Sequence, residues 1–164
     1  MKLTGKEGFT FMEGGVCAAK GFEANGLNCG LNPNKEKNDL GLVFSSVPCN
    51  TGAVYTQNKV KGAPILVTKK NLEKTGGKAI AVIANSKNAN TCNADGEEKA
   101  FRMCELTANE LGIKPEEVIV ASTGVIGQIL PIEPVEKAVK PLADKHLMIL
   151  IHHLDKTSAR QFDA

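Results

Sequence analysis

"KAIAVIANSKNANTCNADGEEKAFRMCELTANELG", residues 78–112, decides the fold class. Its first eight residues are a compact aliphatic run between Gly76-Gly77 and the polar Asn85-Ser86, which reads as a buried strand. The period then changes. Phe101, Cys104, Ala108 and Leu111 recur at helical spacing and share one face, so 96–111 reads as a helix. Asp95 stands where a cap is needed, and Glu97 and Glu98 fall in the first turn, where the helix dipole favours negative charge. Gly112 supplies the stop. A strand, a polar loop and an amphipathic helix in succession make the class mixed α and β.

Working outward, "APILVTKKNLEKTGG", 63–77, reads as a short helix ending at the glycine pair. "LGLVFSS", 40–46, reads as a strand; Pro48 and Thr51-Gly52 mark a turn, and "AVYTQ", 53–57, reads as a second strand. Downstream, Pro115 and two glutamates lead into the strand "VIVAS", 118–122. Another helix begins near Pro134, a good first-turn residue, with Val135, Ala138, Val139 and Leu142 inward; Pro141 ends or bends it. There is no internal repeat and no low-complexity linker.

The 164 residues suit one domain, or part of a larger one. With 42% hydrophobic residues, 4% aromatic and no Trp, the core is aliphatic. A net charge of +2 gives no argument for a nucleic-acid or membrane partner. The lysines from Lys59 to Lys78 read as a solvated surface. Five cysteines, at 17, 29, 49, 92 and 104, form no C-x-x-C pair and are odd in number, which fits reduced thiols in the cytoplasm. No run resembles a signal peptide or approaches the roughly 18 apolar residues of a membrane span.

The chemistry-bearing residues are few. His152 and His153 are adjacent and lack further ligands at metal-site spacing, so no metal site is expected. "TCNADGEEKAFR" lacks the acids a calcium loop needs at its first and last positions. "LEKTGGKA" lacks the first glycine and the Ser or Thr of a phosphate loop. Cys92, in a polar loop, is the thiol best placed to react; Cys104 falls on a helix core face. The loop 84–96 carries Asn85, Ser86, Asn88, Asn90 and Asn93. Amides and hydroxyls at a strand end either hold a polar ligand or bond their own turn. In "VASTGVIGQILP", 120–131, Thr123 and Gly124 follow a strand end. A Thr hydroxyl and a Gly N–H aimed at one point stabilise a developing oxyanion; the plainer alternative is a strand-to-loop turn.

Several of these stretches together resemble one family. "GGVCAAKGFEANGL", "TGAVYTQNKVKGAP", "VIANSKNANTC" and "EVIVASTGVIGQILPIEPV" are similar, in order, to the ornithine acetyltransferases, the bifunctional glutamate N-acetyltransferases of arginine biosynthesis. The resemblance implies an α+β fold, a two-sheet sandwich with helix layers, of which this chain carries the N-terminal part. It implies cytoplasmic acetyl transfer from N-acetylornithine to glutamate through an acetyl-enzyme, with no cofactor; some members also take acetyl-CoA as co-substrate. It implies a precursor that cuts itself into two chains that stay associated, so a second (beta) chain and a hetero-oligomer are expected. The nucleophile is that second chain's N-terminal Thr. Thr123 and Gly124 carry over as the oxyanion hole; Asn85, Ser86 and Asn88 are the candidate substrate-binding residues on the chemistry of their loop alone.

Two departures stand out. The family's loop reads N-S-G-N-A-N, and Lys87 occupies the place of its glycine. If that position has φ > 0, lysine costs on the order of 1 kcal/mol there. Further on, "HLMILIHHLDKTSARQFDA", 146–164, matches neither the family's T-T-D-T stretch nor its Ala-Thr cleavage point. The expectation is a family region over 1–145 and a divergent tail over 146–164, either frame-shifted or foreign. The nucleophile is then absent and the chain is inactive alone. A different reading is a non-catalytic module that binds an amino-acid-like ligand or a partner through the 84–96 loop.

Overall fold

A computed structural model describes residues 14–144. Four strands, β1 (Phe22–Leu27), β2 (Leu40–Asn50), β3 (Lys78–Asn85) and β4 (Val118–Ser122), form one sheet in that order. The first three run antiparallel, while β3 and β4 run parallel. Three α-helices complete it, α1 (Ala63–Lys74), α2 (Gly96–Leu111) and α3 (Ile132–Leu142), with short 3-10 turns at Gly15–Ala18 and Pro115–Glu117. The parallel pair needs a long crossover, and α2 supplies it. The α+β class stands; the described residues build one sheet of the expected two.

The core lies between the sheet and the helices. Along β3 the burial alternates: Ala79, Ala81, Ile83 and Asn85 are buried, and the residues between them less so. Leu40 and Leu42 of β2 and Val118 and Val120 of β4 share that inner side. Against them pack Val67 of α1, Met103 and Cys104 of α2, and Val135, Val139 and Leu142 of α3. The α3 residues are those its spacing predicts. On α2 the buried face is Ala100, Met103, Cys104, Thr107 and Ala108; Phe101 and Leu111 lie at its margin.

Strand β4 is paired on one side only, so its other edge needs partners. Helix α1 provides them. The Thr68 hydroxyl donates to the Val120 carbonyl at 2.9 Å and accepts the Val120 N–H at 3.2 Å. The Asn71 amide donates to the carbonyls of Val118, at 3.0 Å, and Pro115, at 3.2 Å. At the far side of the sheet the buried Asp39 carboxylate accepts the N–H groups of Cys29 (2.7 Å), Gly30 (3.3 Å) and Asn32 (2.6 Å), folding the β1–β2 connection onto itself.

Several local expectations change. Residues 53–57 form no strand; they pair with nothing among the described residues, and Tyr55 instead lies under the Lys69 ammonium. Phe22–Leu27, unremarkable in sequence, is a strand because β2 offers it an antiparallel partner. β2 runs on through Pro48 to Asn50, with an irregularity between Phe44 and Cys49. Asp95 precedes α2 without a side-chain cap, its carboxylate being held by Lys99 at 2.9 Å. α3 starts two residues before Pro134, and Pro141 sits inside its last turn. The lysine-rich surface is mostly exposed, with Lys70 and Lys74 paired to Glu97 and Glu116.

Candidate functional site

Strands β3 and β4 end side by side, Asn85 opposite Ser122. The carboxyl ends of adjacent parallel strands are a preferred place for ligands in α/β sheets. The two chains do not diverge there. The Thr123 N–H donates to the Asn85 carbonyl (3.0 Å), Val125 N–H to Lys87 (3.2 Å), and Gly127 N–H to Thr91 (3.0 Å). In return the Ala89 N–H donates to the Val125 carbonyl at 2.9 Å, so Asn88 and Val125 form a parallel bridge. The loops after the two strands are zipped together.

Buried amides brace the zip from inside. The Asn85 amide donates to the Asn88 carbonyl (2.9 Å) and the Ser86 carbonyl (3.0 Å), and its oxygen accepts the Ser122 hydroxyl at 2.6 Å. The Asn88 amide donates to the Gln128 carbonyl (3.0 Å), while its oxygen accepts the Asn90 N–H (2.7 Å). Asn93 reaches the same Gln128 carbonyl at 2.6 Å. Ser86 is tied back to β2 by its N–H on the Asp39 carbonyl at 2.9 Å. Asn85 and Asn88 thus stand at the site as buried bracing groups, with Ser86 half-buried between them. The Asn90 amide donates to the Gly96 carbonyl at 2.8 Å, and its buried oxygen has no partner among the described residues.

Gly124 shows how close the loops come. Its φ is +136°, and a Cβ there would lie 2.2 Å from the Lys87 carbonyl carbon, 2.4 Å from the Asn88 nitrogen and 2.5 Å from the Lys87 oxygen. Only glycine fits. Thr123 and Gly124 are both exposed. Neither the Thr123 hydroxyl nor the Gly124 N–H has a partner among the described residues. Alternate N–H groups, at 123, 125 and 127, are committed to the neighbouring loop, and the one between 123 and 125 is left outward, as period-two backbone geometry requires. A hydroxyl donor and an adjacent N–H donor on a braced loop are suited to receiving negative charge.

The same loop is strained. Lys87 (φ 74°), Asn90 (φ 46°) and Cys92 (φ 64°) all adopt left-handed backbone. The condition set for the Lys87 position is therefore met, and the loop keeps its zip with lysine in place of glycine. Cys92 is exposed and borders a cleft of about 480 Å³ that also touches Lys59, Lys61 and Glu97. A larger cleft of about 600 Å³ lies between α1 and α2. Neither includes Thr123 or Gly124, which lie on open surface. Burial pushes the Cys104 thiol up to about 12, and burial with the hydrogen bond to Asp39 does the same for Cys29.

Sequence reasoning located Thr123 and Gly124 but missed what holds them. Ser122, Gln128 and the Lys87 carbonyl act through contacts between segments far apart in sequence, and no local pattern signals them. The three histidines and the 146–164 segment lie outside the described residues. Among the described residues no group of three or more His, Cys, Asp or Glu could hold a metal ion, and no helix is long and apolar enough to cross a membrane.

Fold and site define an α+β protein that presents an exposed hydroxyl and an adjacent N–H at the carboxyl ends of two parallel strands. Comparison with known proteins gives the family. Residues 23–161 match the ArgJ family, and the chain belongs to it. The match extends past residue 145 into the segment outside the described residues. The arginine biosynthesis bifunctional protein ArgJ of Gloeobacter violaceus is 44% identical over 137 residues, covering 83% of this chain and 33% of that protein. The bifunctional protein ArgJ 1 of Clostridium acetobutylicum is 50% identical over 115 residues, 70% of this chain and 28% of its own. The chain thus spans about a third of the length of these relatives. The crystal structure of the ArgJ protein from Bacillus halodurans superposes with a TM-score of 0.73 at 38% identity, over 77% of this chain and 65% of that one. The ornithine acetyltransferase of Mycobacterium tuberculosis, solved with ornithine, gives 0.73 at 35% identity, over 79% and 69%.

Proposed function

We propose that this chain supplies the oxyanion-binding part of an enzyme that moves an acetyl group from N-acetylornithine to glutamate. The observation that carries the reading is the exposed, unpartnered pair of Thr123 hydroxyl and Gly124 N–H on the braced loop. When a nucleophilic oxygen attacks the acetyl carbonyl, the carbonyl electron pair moves onto oxygen, and these two donors receive the charge. Collapse of the tetrahedral species expels the ornithine amine, which takes up a proton, and leaves an acetyl-enzyme. Attack by the glutamate amine repeats the step at the same pocket. In this reading Asn85, Ser86 and Asn88 border the acyl pocket and hold its shape. The nucleophile is the N-terminal threonine of a second chain associated with this one, in the cytoplasm. No cofactor takes part; acetyl-CoA serves as an alternative acetyl donor.

The test is acetyl transfer from N-acetylornithine to glutamate, and from acetyl-CoA to glutamate, measured on this chain alone and with the second chain of a relative. Turnover is expected only with the second chain. In that assembly Thr123→Ala should lower kcat by about 10²- to 10³-fold with little change in KM, and Thr123→Ser should keep most of it. Turnover indifferent to Thr123→Ala would refute the reading.

A further inference from the structure

We infer that Asn25-Gly26 on strand β1 is a self-modification site: the Asn25 side chain loses ammonia to attack by the Gly26 peptide nitrogen, and the acidic product releases β1 from helix α3. Among the asparagines of the chain, Asn25 alone precedes a glycine. The peptide nitrogen of the following residue is the nucleophile in this chemistry, and a residue without Cβ leaves that nitrogen uncovered. The fold then adds position. β1 is the edge strand of the sheet and has β2 on one side only. Gly21, in the same register, accepts the Ser46 N–H at 2.9 Å. Odd-numbered residues of β1 therefore face β2, and Gly26 turns its N–H to the open edge. There it donates to the Asn25 side-chain oxygen at 2.8 Å. The carbon under attack is bonded to that oxygen, so it stands within about 4 Å of the nitrogen. The Asn25 amide nitrogen points elsewhere, donating to the Leu142 carbonyl at 3.0 Å. Nucleophile and electrophile are held facing, with the leaving group turned aside. Asp95-Gly96 is the counter-example. Its Gly96 N–H is spent on the Asn93 carbonyl at 3.3 Å, and a Cβ at Gly96 would already lie 3.0 Å from that of Ala63.

Hydroxide removes the Gly26 amide proton. The nitrogen bonds to the Asn25 side-chain carbon, the bond from that carbon to Nδ2 breaks, and Nδ2 leaves as ammonia with a proton from water. Water then opens the cyclic imide at either carbonyl. The sum is asparagine and water giving ammonia and aspartate or isoaspartate, with no oxidation. The consequence falls on α3. Leu142 is its last residue, where carbonyls find no partner within the helix. The Asn25 amide serves this one across 117 positions of sequence. Either product puts a carboxylate there, which cannot donate and is repelled by the negative end of the helix dipole. Isoaspartate also adds a carbon to the main chain, which disturbs the register of β1 on β2.

The purified full chain is aged at mildly acid and mildly alkaline pH, native and unfolded in guanidinium chloride, and each asparagine is followed by peptide mass spectrometry. Native Asn25 should convert before the other asparagines, faster in proportion to hydroxide, and no more slowly than in the unfolded chain. Gly26→Ala should slow it about tenfold or more by covering the nitrogen. That variant keeps the fold, because the added Cβ meets only the Asn38 side-chain nitrogen, at 3.2 Å. Hydrogen exchange reads the consequence. Exchange over the last turn of α3 should rise about fivefold, the equivalent of one net hydrogen bond, in Asn25→Asp and in the aged native chain but not in aged Gly26→Ala. Slower conversion in the native chain than in the unfolded one would show that the strand protects Asn25, and overturns the site. Unchanged exchange in Asn25→Asp overturns the release of α3.

Discussion

Replacing Gly124 by alanine tests the close approach on which the site depends. The added Cβ meets three backbone atoms at 2.2, 2.4 and 2.5 Å, and backbone cannot rotate aside as a side chain would. Two outcomes are open to the folded chain. The zip stays closed and the overlap is absorbed as overpacking, at about 1–3 kcal/mol. Or the zip opens, and the bonds from Val125 to Lys87 and from Ala89 to Val125 are lost, at about 1 kcal/mol net each. Either route adds roughly 1 kcal/mol for an alanine at φ +136°. The sum is about 3 kcal/mol, a fall in Tm of roughly 6–12 °C for a chain of this size. Gly127→Ala is the internal control. Its φ of +77° carries the same kind of strain, but its Cβ would meet nothing within 4 Å, so a loss of only about 1 kcal/mol is expected. The assay is thermal unfolding combined with hydrogen exchange at Val125 and Ala89, whose protection should drop in Gly124→Ala. Equal destabilisation by the two substitutions, or unchanged protection at Val125 and Ala89 without loss of Tm, would refute the steric argument.

Two further outcomes follow from the same structure. Thr68→Val should cost about 1–3 kcal/mol in urea unfolding, because the shape is kept but a buried N–H and a buried carbonyl of Val120 lose their partner. Thr68→Ser keeps both bonds and should be the more stable of the two; the reverse order would contradict the edge-capping role of Thr68. Native-state alkylation with iodoacetamide at pH 8, followed by mass spectrometry, should label the exposed Cys92 well before Cys29 and Cys104. The sign follows from the direction of the shifts. A thiol raised to about 12 remains protonated until pH nears that value, leaving a thiolate fraction of about 10⁻⁴ at pH 8. Early labelling of Cys104 would mean that α2 does not pack on Val118 and Asn71 as described.

What was legible in the sequence was what local chemistry determines. The aliphatic run at 78–85 and the amphipathic period at 96–111 give β3 and α2 with the bounds observed. Gly112, with φ 69°, ends α2 as a left-handed cap, as expected of glycine at that point. Strand β1 was not legible because "FEANGL" has no β-branched residue and its Phe-Glu-Ala-Asn alternation breaks off at Gly26; its extended form is fixed by register with β2. The misreading of 53–57 is the converse case. Val54 and Tyr55 favour extended backbone, but a strand requires a partner, and Val54 is left 99% exposed. Asp95 was well placed to cap α2, yet Lys99 one turn on offered its carboxylate a charged partner. At the site, the Thr-Gly pair was visible as a motif, whereas its dependence on Lys87 and Asn88 arises from two loops meeting across some 36 positions of sequence (124 − 88).

That non-local dependence explains the residue types in "ASTGVIG". A loop that donates N–H groups at 123, 125 and 127 to one neighbour must turn the intervening groups outward. The chain at 124 lies directly against the 87–88 peptide, and only a residue without Cβ allows it. The asparagines follow from the same requirement. Two loops zipped beyond the end of a sheet bury carbonyls that no strand can satisfy, and short amides reach them where longer side chains would not pack. The bracing uses only this chain's own groups, so in the proposed reaction the donor pair would need no reorganisation when charge develops, which is the condition for electrostatic stabilisation to be large. It also explains why the stretch carries no acid or base. In the proposed reaction the proton moves between nucleophile and leaving amine, both of which come from elsewhere. A charged side chain inside the zip would have to be buried without a partner, and the one charge the loops do carry, on Lys87, is kept at the surface.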